Sequence, residues 1–175
     1  DFDNDGIFSG LLLKEAIIEL GGRAAIFTPN RVMEGYGVNS RIVEEANANG
    51  ASVLLTCDNG IAAFEAIDEA KKLGMTVIVT DHHEVPFEEH DGKKTYFLPK
   101  ADAIVDPKQE DCAYPFKSLC GTGVAYQLMT LLFRRMKRTM SRQEIFLQYT
   151  AIATVADVME LVGENRILVR KGLSY

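Results

Sequence analysis

Apolar and polar positions fall in blocks along this chain, with short β-branched runs separating stretches of helical spacing. Residues 7–20 place apolar side chains three and four apart and stop at Gly21-Gly22, which predicts a helix. Residues 24–27 (AAIF) read as a short strand leading into the turn Thr28-Pro29-Asn30. A polar helix over 39–49 is stopped by Gly50, a strand follows over 52–56 (SVLLT), and a helix over 61–73 ends at Gly74. The run TVIVT at 76–80 lacks polar alternation, as a strand of a parallel sheet covered on both faces would. Residues 84–100 are charged and irregular and read as a loop or insertion. A strand over 103–105 precedes the turn Asp106-Pro107, and a long helix covers 119–138. Ser141-Arg142-Gln143-Glu144 has the form of a capping box, starting a helix that runs to about residue 155, and 165–171 form a last helix. The expected fold class is α/β: a doubly wound, mostly parallel sheet with flanking helices, binding ligands at the carboxyl ends of its strands.

The bulk numbers narrow the class. At 175 residues the chain can bury a sizeable core, and 47% hydrophobic with 25% charged residues is ordinary for a globular protein. No apolar run approaches the roughly 20 residues that span a bilayer, so no membrane partner is expected. The three cysteines Cys57, Cys112 and Cys120 have no C-x-x-C spacing, which suits buried thiols in a reducing compartment. With no leader pattern, the expected location is the cytoplasm. A net charge of −6 argues against a protein that coats nucleic acid. It is compatible with an enzyme that gathers its acids around metal ions.

The opening DFDNDG fits the start of a calcium loop, D-x-D-x-D-G, but the bidentate Glu that such a loop needs at position twelve is Leu12. Its three acids therefore need another reason. Polar groups also gather where the strands end: Cys57-Asp58-Asn59-Gly60 after SVLLT and Asp81-His82-His83 after TVIVT. Asp157 stands among apolar neighbours at a helix end. Taken singly, Asp58 reads as a turn residue, the histidines as a loop pair, and Asp157 as a cap. Together they bring carboxylates and imidazoles to one sheet edge, where mutual repulsion calls for cations. A mixed Asp/His set without thiolate suits Mn2+ or Mg2+ better than structural zinc. Two such ions, about 3.5–4 Å apart with a shared carboxylate, would activate water for in-line phosphoryl displacement.

DFDNDG, CDNG, TDHH, LCGTGVA and ADVMEL occur in the order and spacing of the DHH phosphoesterases, which the chain resembles throughout. The linking segments PNRVMEGYGVN and VDPKQEDCAYPFKSLCGTGVAYQL resemble the RecJ single-stranded-DNA-specific exonuclease branch. The resemblance implies two divalent ions, Mn2+ foremost and Mg2+ as the alternative. Asp3 and Asp5 match metal-binding acids, Asp58 the bridging carboxylate, and His82 and Asp157 further ligands. Asp1 would orient the first acids, and Asp81 would hold His82 in the correct tautomer. His83 would face a metal or the scissile phosphate, joining Asp58 and His82 in catalysis. Asn30, Arg31 and Tyr36 lie in the nuclease-like segment, with Arg31 the candidate for DNA phosphate. Gly121-Thr122-Gly123 could offer backbone N–H groups to a phosphate, or simply form a tight turn into the helix. The basic run Arg134-Arg135-Met136-Lys137-Arg138, with Arg142, reads as a solvated helix end first and a DNA track second.

The implied activity is metal-dependent 5′ to 3′ hydrolysis of single-stranded DNA to 5′-mononucleotides, in DNA repair and recombination. Residues 1–175 would form the catalytic DHH domain, a fragment without its first strand and without downstream DHHA1-type and OB-type domains. Two alternatives stay open. One is a sibling phosphoesterase acting on oligoribonucleotides, nucleotide phosphates or cyclic dinucleotides. The other is a DHH-fold scaffold without metal. Protein partners are not legible.

Overall fold

The computed structural model describes residues 3–29 and 36–175, so Asp1, Asn30 and Arg31 lie outside the described residues. Helix α1 (Asn4–Glu19) is followed by α2 (Ser40–Ala48), strand β1 (Val53–Cys57), α3 (Phe64–Lys72) and strand β2 (Thr76–Thr80). Strands β3 (Phe87–His90), β4 (Lys93–Tyr96) and β5 (Ala103–Val105) then precede α4 (Gly121–Arg135), α5 (Gln143–Ala156) and α6 (Gly163–Gly172). The main sheet is parallel in the order β1-β2-β5, and β3 and β4 form a separate antiparallel pair.

Helices cover both faces of the main sheet, and side-chain alternation decides which residue meets which layer. On β1, Leu55 and Cys57 pack with Leu12, Leu13, Val124 and Phe146, from α1, α4 and α5. Leu54 points the other way, with Val77, Val79 and Ile104, into a second core built on Val43, Ala46, Ile67 and Ala70. Val77 and Val79 of the central strand are fully buried, each contributing about 1.5–3 kcal/mol by burial. The doubly wound α/β expectation holds.

The register has one consequence for chemistry. Cys57 pairs with Thr80, and Thr80 with Val105, so the three strands stop on one row. The next residue in each case is an acid: Asp58, Asp81 and Asp106. A parallel sheet thus delivers three carboxylates side by side at its carboxyl edge.

Several expectations need correcting. Helix α1 begins at Asn4, one turn before residue 7, because the Asp3 side chain accepts from the Gly6 N–H and caps it. Residues 24–27 form no strand: among the described residues, the outer edge of β1 carries no paired neighbour to hold one. The 84–100 stretch contains the β3–β4 hairpin, closed by Asp91 (φ +52°) and Gly92 (φ +75°). Both central residues are left-handed, which is the geometry an Asp-Gly pair favours in a tight hairpin turn. Helix α5 starts at Gln143 with no side-chain cap, and the Ser141 N–H donates instead to Glu19 of α1.

Candidate metal centre

The centre is assembled from helix starts and strand ends. Asp5, in the first turn of α1, is 1% exposed, a costly place for a carboxylate unless its oxygens find donors. They find them at the start of α4: the Gly121 N–H donates to Oδ2 at 2.6 Å and the Thr122 N–H to Oδ1 at 2.7 Å. The Thr122 hydroxyl also donates to the Asp5 carbonyl at 3.0 Å. The free N–H groups of a helix start, and its positive dipole end, suit this anion.

Asp58 follows β1 with φ +57°, a left-handed conformation that turns its side chain back over the sheet edge. It is buried, with Oδ1 3.0 Å from His82 Nε2 and Oδ2 without a partner. Burial pushes its carboxyl up to about 6, with the Asp5 charge adding to that and the His82 hydrogen bond opposing it. His82 Nε2 also stands 3.6 Å from Asp5 Oδ2 and 3.8 Å from Asp157 Oδ2. Burial disfavours an imidazolium there, but the Asp58 hydrogen bond and the Asp5 charge outweigh it and hold His82 above its usual range. Asp157 closes α5 as its C-terminal cap, and the next residue, Val158, is left-handed at φ +55° and exposed. Burial raises the Asp157 carboxyl, and the charges of Asp5 and Asp3 add to the rise.

Asp81 plays a different part from the one expected. Its Oδ1 accepts from His83 Nδ1 at 2.7 Å and from the His82 backbone N–H at 2.8 Å, and its Oδ2 accepts from the Ile61 N–H at 2.9 Å. It therefore orients the ring of His83 and not that of His82, because successive side chains at the strand end point to opposite sides. Despite burial, these donors keep the Asp81 carboxyl low. The same hydrogen bond lifts His83 to about 9, so its half-exposed ring carries a positive charge at neutral pH.

Ligand atoms of Asp58, His82 and His83 lie within 4.8 Å of one another, as do those of Asp5, His82 and Asp157. The residue common to both groups is His82. The profile of the DHH family, N-terminal domain, matches residues 1–154. The chain belongs to the DHH family.

Within that family its relatives are consistent. It is 39% identical to the single-stranded-DNA-specific exonuclease RecJ of Dickeya dadantii and 40% to that of Escherichia coli, over 99% of this chain and 30% of each relative. The chain thus spans about 30% of the length of these relatives. A crystal structure of exonuclease RecJ bound to manganese matches with TM-score 0.82 and 31% identity, over 99% of this chain and 41% of that one. RecJ from Thermus thermophilus in complex with Mn2+ matches with TM-score 0.76 and 28% identity, over 99% of this chain and 23% of that one.

The donor set of this DHH domain fits hard divalent cations. Oxygen and imidazole donors predominate, while burial raises the Cys57 and Cys120 thiols away from the thiolate form. The buried, unpartnered Asp58 Oδ2 is an acceptor waiting for a positive partner. Asp3 caps α1 from an exposed position outside both groups. Gly121 and Thr122 give their N–H groups to Asp5, and Gly123 gives its own to Cys120 Sγ at 3.4 Å. They build the site and leave no free amide at this helix start for a phosphate. Tyr36, 73% exposed, lines a cavity of about 610 Å³ with Asn59, Phe64, Asp81 and His83.

Asp106 escaped the sequence reading. It is 2% exposed, burial pushes its carboxyl up to about 6, and its Oδ2 has no partner. The signal was present, since Asp106 follows a strand as Asp58 and Asp81 do, but the neighbouring proline assigned it to a turn.

Proposed function

We propose that this chain is the catalytic domain of a two-metal exonuclease that degrades single-stranded DNA from the 5′ end and releases 5′-mononucleotides. The observation that carries the reading is the convergence of Asp5, Asp58 and Asp157 on His82 Nε2, within 3.0–3.8 Å. Three buried or half-buried acids around one imidazole make a poor structural motif and a good cradle for divalent cations. The substrate is supported by the relatives, whose names specify single-stranded DNA; the polarity comes only with the resemblance to the RecJ branch.

Asp5, Asp58, His82 and Asp157 would hold the ions, Mn2+ before Mg2+, with Asp3 at the rim. Bound divalent cations supply Lewis acidity, lowering the pKa of water and neutralising charge on a phosphoryl group. The chain's own residues do the rest. Helix α4 fixes Asp5 through two amides, so one metal-facing carboxylate is held before any ion arrives. Asp81 keeps His83 cationic in the lining of the cavity, where its Nε2–H can donate to a scissile phosphate oxygen. The exposed Tyr36 ring lines the same cavity and offers a stacking surface for a base. Arg31 is proposed to bind a backbone phosphate.

The test is hydrolysis of a 5′-phosphorylated single-stranded oligonucleotide in Mn2+, beside a ribodinucleotide and pyrophosphate. Mononucleotide release from the 5′ end of DNA is the expected result. Preference for a small substrate would overturn the nuclease reading in favour of a sibling phosphoesterase. Failure to bind Mn2+ would favour a scaffold.

A further inference from the structure

Asn165, in the first turn of α6, is wholly buried, and its side chain reaches two carbonyls from different parts of the chain. Nδ2 donates to the Ser118 carbonyl at 2.7 Å and to the Glu160 carbonyl at 3.1 Å. Ser118 stands three residues before Gly121, whose N–H holds Asp5, and Glu160 stands three residues after Asp157. One amide therefore ties the strap that leads into α4 to the loop that leaves Asp157. Its orientation is fixed, since reversal would set Oδ1 against two carbonyl oxygens. Oδ1 itself is buried without a partner, a penalty that an apolar side chain of similar size would not carry. What Asn165 adds is its two donations.

Its neighbours seat the same strap. Gly163 is left-handed (φ +48°), and a Cβ there would lie 2.8 Å from Phe116 Cε2, so the Phe116 ring rests on bare backbone. Glu164 accepts from the Tyr114 hydroxyl at 2.8 Å and from Gln127 Nε2 of α4. Residues 114, 116 and 118 thus meet three successive residues at the start of α6. A softer link joins the same two segments, Cys120 Sγ lying 3.5 Å from Thr154 Oγ1 of α5. Beyond these links, Asp5 Oδ2 and Asp157 Oδ2 stand 3.6 and 3.8 Å from His82 Nε2. One acid is held by the start of α4 and the other by the end of α5, and Asn165 spans both supports.

We propose that Asn165 is a positioning residue for the metal centre: by clamping the Ser118 and Glu160 carbonyls together, it fixes the start of α4 against the loop after Asp157, so that Asp5 and Asp157 face His82 at once. The assignment rests on the metal reading of the site and extends it to a residue that touches no ligand atom.

The test must separate this role from general stability. Asn165→Leu keeps the volume and removes both donations. Val43→Ala, in the core on the other face of the sheet, is the control that lowers stability without touching the strap. In the metal-free chain, amide exchange of Gly121 and Thr122 is compared with that of the β2 amides. Asn165→Leu should speed the Gly121 and Thr122 amides about 10-fold relative to β2, on the scale of one or two lost hydrogen bonds. Val43→Ala should leave that ratio at the wild-type value. Calorimetric Mn2+ affinity of the folded protein should fall about 10-fold in Asn165→Leu and hold in Val43→Ala. Should Asn165→Leu fail to fold, Asn165→Ser, whose hydroxyl is too short to reach both carbonyls, is read in the same way. An unchanged exchange ratio, an equal change in the control, or unchanged Mn2+ affinity would each overturn the proposal. A wild type that binds no Mn2+ would instead remove the metal reading, while the exchange ratio still decides whether the clamp holds the start of α4.

Discussion

Gly121 stands against Asp58: a Cβ built on Gly121 would lie 2.8 Å from the Asp58 Cβ and 2.9 Å from its Cα. It would also lie 3.1 Å from Asp5 Oδ2. These are backbone-level approaches that no rotamer change relieves, so the bare glycine is what lets α4 reach both acids. Gly121→Ala is therefore expected to displace the helix start and lower Mn2+-dependent hydrolysis about 100-fold, as misplacement by about an ångström does. Gly123→Ala is the control: its Cβ would meet chiefly Leu119 Cδ2 at 3.3 Å, a side-chain end that can move. Equal rates in the two variants would contradict the argument.

The two buried acids Asp58 and Asp5 should respond oppositely to removal of charge. The folded-state pKa of Asp58 lies above its ordinary value, about 6 against 3.8, chiefly through burial. Its favourable contribution is thus complete below about 4 and lost as pH rises through about 6. At pH 7.5 without metal, the ionised group opposes folding. Asp58→Asn, which tolerates the left-handed backbone, should stabilise the metal-free chain at that pH by about 1–3 kcal/mol. The gain should vanish near pH 4, and hydrolysis should be abolished. Urea melts at both pH values, with an activity assay, check all three.

Asp5→Ala should do the reverse. Removing the carboxylate leaves the buried N–H groups of Gly121 and Thr122 without acceptors, with an expected loss of about 2–4 kcal/mol in urea melts. A stability change below about 0.5 kcal/mol would mean that water replaces the carboxylate freely.

The cation on His83 depends on Asp81, whose hydrogen bond lifts it to about 9 while burial works against it. Because the folded value is raised, the stabilising contribution of the pair is complete below about 6.5 and fades as pH rises through about 9. Asp81→Asn should bring the NMR titration midpoint of His83 back toward about 6.5 and move the alkaline fall in hydrolysis with it. A midpoint that stays near 9 would place the cause elsewhere.

Much of this was legible because periodicity and parallel topology act together. TVIVT gave β2 with its bounds intact, and the strand-end rule led to Asp58 and Asp81. The β3–β4 hairpin was hidden because its eight strand residues are all exposed, so no apolar alternation marks them. Only the Asp91-Gly92 pair announced it. The ring that Asp81 orients could not be read from sequence, since His82 and His83 are adjacent and strand geometry alone decides which turns toward it. The cap on α1 likewise depends on Asp3 accepting from Gly6, a local competition that spacing does not resolve.

The amides that fix Asp5 come from residues 116 and 117 positions further along. During synthesis the acidic opening leaves the ribosome long before its partners do. Until α4 has emerged and docked, that segment has no fixed carboxylate to offer an ion. Asp157 follows later still. Assembly of the acidic site is therefore gated by translation, and an unfinished chain carries DFDNDG without the amides that hold its carboxylate.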